Sequence, residues 1–194
     1  MSEFHNVTKK FADNTVIESF FLKIQKSSPT VIMGESGGGK TTLLRIAAGL
    51  EKADSGSFEA DGENIAYMFQ EDRLLPWKNS LDNVRAVLRK EHHPLAEKYL
   101  SLVGLDLVTD GKKLPSELSG GMRQRVAFAR FLAYTEATNA TLLLLDEPFS
   151  ALDDATAERM INLLRTAAED KYLLMVSHDE ADAIRLGAEV IRLQ

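Results

Sequence analysis

Three observations in the 194-residue sequence predict an α/β fold with a mainly parallel core sheet. Short, uninterrupted apolar runs at 31–33, 142–145 and 172–176 have the length and composition of strands buried on both faces. A segment of helical periodicity follows each of them, as the crossover between parallel strands requires. The runs stop at chemistry-bearing residues, respectively Gly34, Asp146-Glu147 and Ser177-His178. Ligands of open α/β sheets bind outside the carboxyl ends of the strands, so these residues are expected on one edge of one sheet.

Taken in order, residues 1–30 carry short alternating pieces and are expected to form two or three antiparallel strands. The clearest is 20–24, where Phe20, Leu22 and Ile24 alternate with Phe21 and Lys23. Phe11 stands among polar neighbours, either as a strand residue in a small core or as an aromatic platform for a base.

The stretch VIMGESGGGKTTLLRIAAGL at 31–50 reads as strand, glycine-rich loop and amphipathic helix. Gly34, Gly39, Lys40 and Thr41 fit the spacing G-x-x-x-x-G-K-[ST]. Gly34, Gly37, Gly38 and Gly39 let the backbone come close to a ligand, and the loop amides then form an anion nest at a helix N-terminus. Lys40 supplies a point charge for phosphates and Thr41 a hydroxyl for Mg2+. The plainer alternative is a glycine-rich turn, but the flanking strand and helix are the context that nucleotide binding demands.

Further along, Asp54-Ser55-Gly56 and Asp61-Gly62 are turn signals flanking short strands, the second of which, at 65–69, leads to Gln70. Residues 71–137 read as mostly helical. Ser80 is the expected N-cap of a helix with Asp82 in its first turn and Leu81, Val84, Val87 and Leu88 on one face. A second helix over about 94–103 places Leu95, Tyr99 and Leu102 on one side. Leu74, Leu75 and Trp77 surround Pro76 in what should be a loop, as a local plug or as a docking surface for another protein. At 118–133, Ser119 is expected to cap a helix that opens on Gly120 and Gly121 and lines up Met122, Val126, Ala129 and Ala133. Two glycines at a helix start are unfavourable. They make sense where an anion must approach the N-terminus closely; a simple turn is the alternative.

Asp146 and Glu147 end an apolar strand, where carboxylates need a cation or strong hydrogen bonds. Adjacent residues point apart, so one can hold Mg2+ while the other takes a proton from water. A helix over about 154–169 should bury Ala157, Ile161, Leu164 and Ala168. After the strand at 172–176 comes a short helix stopping at Gly187, then a last strand at 188–194.

Composition narrows the classes. The length suits one domain, and the apolar and charged fractions, 44% and 27%, are ordinary for a globular protein. A net charge of −6 argues against a general nucleic-acid binder. With no cysteine, neither a disulfide frame nor a thiolate metal site is possible. No apolar run reaches the ~20 residues of a membrane span, and the N-terminal residues lack a signal-peptide core.

The chain resembles the ATP-binding subunits of ABC transporters over almost its whole length. GESGGGKT is similar to their Walker A motif, LSGGMRQR to the family signature, LLLLDEP to Walker B with its catalytic glutamate, and SALD to the D-loop. Gln70 stands at the Q-loop position and His178 at the switch histidine. The resemblance implies a P-loop NTPase of ABC ATPase type, a single nucleotide-binding domain over 1–194. It would carry an antiparallel β-subdomain and an inserted helical subdomain at roughly 74–137. It implies that Gly34, Glu35, Ser36, Gly37, Gly38, Gly39, Lys40, Thr41 and Thr42 cradle the phosphates of ATP, and that Phe11 stacks on adenine. Thr41, Gln70 and Asp146 would hold Mg2+, Glu147 would polarise the attacking water, and His178 would contact the γ-phosphate. Ser119, Gly120 and Gly121 would bind ATP held by a second subunit, in a homodimer or with a paired ATPase subunit.

FQEDRLLPWKNSLDNV resembles the branch that imports nitrate, sulfonate, taurine and similar solutes. The implied partners are transmembrane permease subunits and an extracytoplasmic solute-binding protein, with no nucleic acid. The implied location is the cytoplasmic face of the cell membrane, as a peripheral subunit. Three alternatives stand beside this, one of them a nucleotide-binding switch without useful hydrolysis, against which Glu147 and His178 both speak. A soluble ABC ATPase would carry a coiled-coil insertion or a second cassette, which the sequence lacks; an exporter ATPase fits the LLPW stretch less well. The sequence departs from the family in a short 62–70 segment, a longer 130–142 link without proline, and an end soon after the last strand, where no C-terminal regulatory domain is expected.

Overall fold

The structure is a computed structural model that describes residues 2–12, 14–62 and 64–193. In chain order its main elements are β1 (Ser2–Phe11), β2 (Asn14–Ile24), β3 (Thr30–Met33), α1 (Lys40–Ala47), β4 (Ser55–Glu59) and β5 (Ile65–Met68). Then follow α2 (Ser80–Arg85), α3 (Pro94–Leu102), α4 (Gly120–Thr138), β6 (Leu142–Asp146), α5 (Asp154–Ala167), β7 (Tyr172–Val176), α6 (Glu180–Leu186) and β8 (Glu189–Arg192). They fall into two compact units, one of Met1–Tyr67, Thr141–Glu147 and Ala168–Gln194, the other of Met68–Ala140 and Pro148–Ala167.

The first unit holds a five-stranded sheet of order β5-β6-β7-β3-β8, in which β6, β7, β3 and β8 pair in parallel. Every residue of β3, β6 and β7 is buried, as their unbroken apolar runs require. The core packs Ile32, Leu144 and Leu174 against Leu43, Leu44 and Ile46 of α1. The same core takes the inner face of a three-stranded antiparallel sheet of order β2-β1-β4. There Phe4 lies with its ring centroid 5.4 Å from Phe20 and 4.5 Å from Phe58. Leu22 and Ile24 are buried while Phe21 and Lys23 point out, as the alternation predicts.

The expected turn at Asp54-Ser55-Gly56 is instead the start of β4, with Ser55 opposite Thr8. Gly56 has φ 78°, and a Cβ there would lie 2.3 Å from the carbonyl oxygens of His5 and Asn6. A glycine that reads as a turn is thus used for close approach of two backbones.

In the second unit α4 is the central helix, with Val126, Phe128, Ala129, Phe131 and Leu132 buried, so its apolar surface is wider than the single face expected. Two details differ from the sequence reading. Asn79, not Ser80, caps α2: its side chain accepts from the Asp82 amide at 2.8 Å, while Ser80 is buried. The inward face of α3 is Ala96, Leu100 and Val103, and Leu102 is exposed. Helical spacing alone fits both faces, and packing against α4 selects the smaller residues. In α5, Ala157, Ile161 and Leu164 are buried as expected.

Candidate functional site

The loop 34–39 joins β3 to α1, and Gly39 is the residue before the helix, with φ 85°. A Cβ on Gly39 would lie 2.8 Å from Cγ1 of Ile17, so neither the backbone angle nor the space admits a side chain. No side chain caps α1. Its first amides are left to whatever anion approaches, which is how a helix N-terminus binds phosphate. Lys40 donates its ammonium to the carbonyl oxygens of Gly34 (2.8 Å) and Glu35 (2.7 Å), which folds the cation across the loop. Glu35, Ser36 and Gly37 are exposed, and Thr41 and Thr42 half-buried.

Asp146 ends β6 at 2% exposure. The Thr41 hydroxyl bonds its carboxylate, yet burial dominates and raises the pKa, with the neighbouring Glu147 charge adding to it. The Oδ1 atom of Asp146 is buried without a hydrogen-bond partner. A buried carboxylate with one spare oxygen, beside a threonine hydroxyl, is a donor set suited to a hard divalent cation such as Mg2+. No group of three or more acidic or histidine side chains converges anywhere among the described residues. A cation here would therefore be completed by phosphate and water, the usual pattern for Mg2+.

Glu147 has φ 49°, left-handed although it is not a glycine. Its amide donates to the Val176 carbonyl at 3.0 Å, continuing the β6–β7 ladder by one bond. Its Oε2 meets Nδ1 of His178 at 2.5 Å. Glu147 is 13% exposed at its side chain and His178 66%, so the pair has a sheltered carboxylate and a solvent-facing imidazole.

The structure therefore brings Lys40, Thr41 and Asp146 to one place and pairs Glu147 with His178, all at the carboxyl ends of β3, β6 and β7. Phe11, at the end of β1, is 48% exposed, which removes the small-core alternative. Its ring lies 5.1 Å from the Lys9 ammonium. In the second unit, Ser119 caps α4, its hydroxyl accepting from the Met122 amide at 3.2 Å. Gly120 is exposed, and a Cβ on Gly121 would come within 3.1 Å of the Ala151 carbonyl. Gln70 is exposed, two residues beyond β5. Leu74 and Leu75 are half-buried while Trp77 is 72% exposed, so Trp77 is not part of a plug. Asp182 is buried at 6% exposure and accepts a hydrogen bond from Ser177; an acid in the first turn of a polar-looking helix gives no signal of burial in the sequence.

Comparison with known proteins places these features in context. The family model described as ABC transporter matches residues 17–150. An aliphatic sulfonates import ATP-binding protein, SsuB 1 of Rhodococcus jostii, is 41% identical over 95% of this chain and 75% of its own length. SsuB of Escherichia coli O6:K15:H31 is 38% identical over 97% of this chain and 75% of its own. SsuB 2 of Xanthomonas axonopodis pv. citri is 40% identical over 97% of this chain, which spans 66% of that relative. Against SsuB 1 of Paraburkholderia xenovorans the share falls to 57%. Among solved structures, the dimeric post-hydrolysis state of the ATP-binding cassette MJ0796 bound to ADP and Pi aligns over 100% of this chain and 94% of its own. The TM-score is 0.87 at 30% identity.

Proposed function

The chain belongs to the ABC transporter family, and from that premise we propose that it is the ATP-hydrolysing subunit of a membrane importer for small solutes. The observation that carries the reading is the end of β6. There Asp146 keeps a buried oxygen without a partner, and Glu147 turns back onto His178. Two adjacent acids are given two environments, the arrangement that separates metal holding from proton transfer.

In this reading the amides of 34–42 bind the phosphates, and Lys40 exchanges its loop carbonyls for the β- and γ-phosphate oxygens. Thr41 and Asp146, with Gln70 on the family pattern, hold Mg2+, which when bound offsets phosphate charge. Glu147 accepts a proton as water attacks the γ-phosphorus and the bond to the ADP oxygen breaks. His178 fixes the Glu147 carboxylate and turns its exposed edge to the γ-phosphate. Phe11 stacks on adenine. Ser119, Gly120 and Gly121 bind the γ-phosphate of ATP held by a second copy, so that ATP closes a dimer and hydrolysis releases it.

The relatives named for aliphatic sulfonate import support sulfonates as the solute class, taken up through transmembrane permease subunits with an extracytoplasmic solute-binding protein. No helix among the described residues is long and apolar enough to cross a membrane. The proposed place of work is the cytoplasmic face, against the permease.

Phosphate release by the purified chain with Mg2+ and ATP tests this. Lys40→Ala should lose ATP binding in a calorimetric titration. Glu147→Gln, nearly isosteric, should keep ATP and lose roughly 10²–10⁴ in rate. Wild-type turnover in Glu147→Gln would remove the base, and full ATP affinity in Lys40→Ala would remove the cradle.

A further inference from the structure

Asp182 is a buried acid that the mechanism above does not use. It lies in the first turn of α6 at 6% exposure, and a carboxylate in such a place is costly unless it is hydrogen-bonded. Its Oδ2 accepts the Ser177 hydroxyl at 2.8 Å. Ser177, 1% exposed, is the residue between β7 and His178. The same hydroxyl oxygen accepts the Asp179 amide at 3.0 Å, and the Asp179 side chain accepts the Ala181 amide at 2.8 Å. The Ser177 amide donates to the Ile32 carbonyl of β3 at 3.3 Å. Both neighbours of His178 are therefore anchored, one to the sheet and to Asp182, the other to the start of α6. His178 itself is 66% exposed at its side chain, so the turn that carries it matters to its aim at Glu147.

We propose that Asp182 is a positioning residue that acts through Ser177 to hold His178 on Glu147, an inference that rests on the reading of that pair given above. It never touches nucleotide. Its effect falls mainly on the chemical step, because the phosphate loop is carried by β3 and α1, and the bond from the Ser177 hydroxyl to Asp182 is not part of that loop.

Steady-state MgATP hydrolysis by the full chain tests the proposal, with Asp182→Ala, Ser177→Ala and Asp182→Asn each made alone and with His178→Ala. Misplacing a reacting group by an ångström can cost up to ~100-fold, so Asp182→Ala should lower kcat by roughly tenfold or more. KM should change by far less than kcat, since the phosphate loop, which makes most of the ATP contacts in this reading, keeps all its residues. Asp182→Asn still accepts the Ser177 hydroxyl and should restore turnover. Ser177→Ala cuts the same bond from the other end and should match Asp182→Ala, which keeps the test decisive if the aspartate variant does not fold. In the His178→Ala background neither alanine change should lower kcat further, because residues acting through one another are not additive. A further loss in that background would show a loosened fold and overturn the proposal, as would full kcat in both alanine variants. Full kcat in His178→Ala itself would instead overturn the reading of the pair, and this inference with it.

Discussion

Glu147 holds a left-handed backbone at φ 49°, a conformation that costs a non-glycine residue on the order of 1–3 kcal/mol. At this angle the Glu147 carboxylate meets His178. The sequence shows two acids at a strand end and the need for two jobs, but a backbone angle has no signature in residue types. Asp182 was equally hidden, and it offers a test at this scale. Burial holds its carboxyl above the usual range. The native state therefore keeps the proton above the unfolded pKa of about 3.9, and ionisation at higher pH costs stability. Asp182→Asn removes that cost while keeping an acceptor for Ser177. Its urea midpoint should differ from wild type least below the unfolded pKa of about 3.9, and its advantage should grow as pH rises above that value and then level off. An equal difference at every pH would assign the effect to packing instead.

Elements built from continuous patterns were the legible ones. β3, β6 and β7 are unbroken apolar runs, and α5 repeats its buried residues every three or four positions, so period and length settle them. Where two assignments satisfy the same period, the sequence could not choose. Asn79 and Ser80 are both good caps, and α3 offers Leu95/Tyr99/Leu102 as readily as Ala96/Leu100/Val103. Tertiary packing decided each. The loop before α2 shows a further limit. Asn83 is buried and binds it from below, accepting from the Leu75 amide at 2.7 Å and donating to the Lys78 carbonyl at 2.8 Å. Loop shape therefore rests on Asn83, and Trp77 is held outward. Trp77→Ser should change the unfolding free energy by no more than about 0.5 kcal/mol, as exposed substitutions do. It should nonetheless weaken assembly with the membrane subunits, because aromatic anchors dominate interfaces. Co-purification from membranes beside a urea titration separates the two; unfolding without loss of assembly would restore the plug.

At the scale of the whole molecule, the convergence of three strand ends follows from topology alone. Parallel strands all present their carboxyl ends to one edge, so the phosphate loop, Asp146-Glu147 and Ser177-His178 had to meet once the three runs were recognised. Residues 119–121 belong to the other compact unit and end no strand of that sheet. The proposal above gives their exposed, Ser119-capped helix start a ligand carried on a second copy. The likeness to a dimeric cassette bound to ADP and Pi supports that reading. The most direct test is the solution mass of Glu147→Gln, measured by light scattering after size exclusion, with and without Mg2+ and ATP. With hydrolysis slowed, each ATP should tie one copy's Lys40 loop to the other's Ser119 helix, so the mass should double from 21.5 kDa only when ATP is present. A variant that binds ATP yet stays at the monomer mass would contradict a site shared between two copies of this chain.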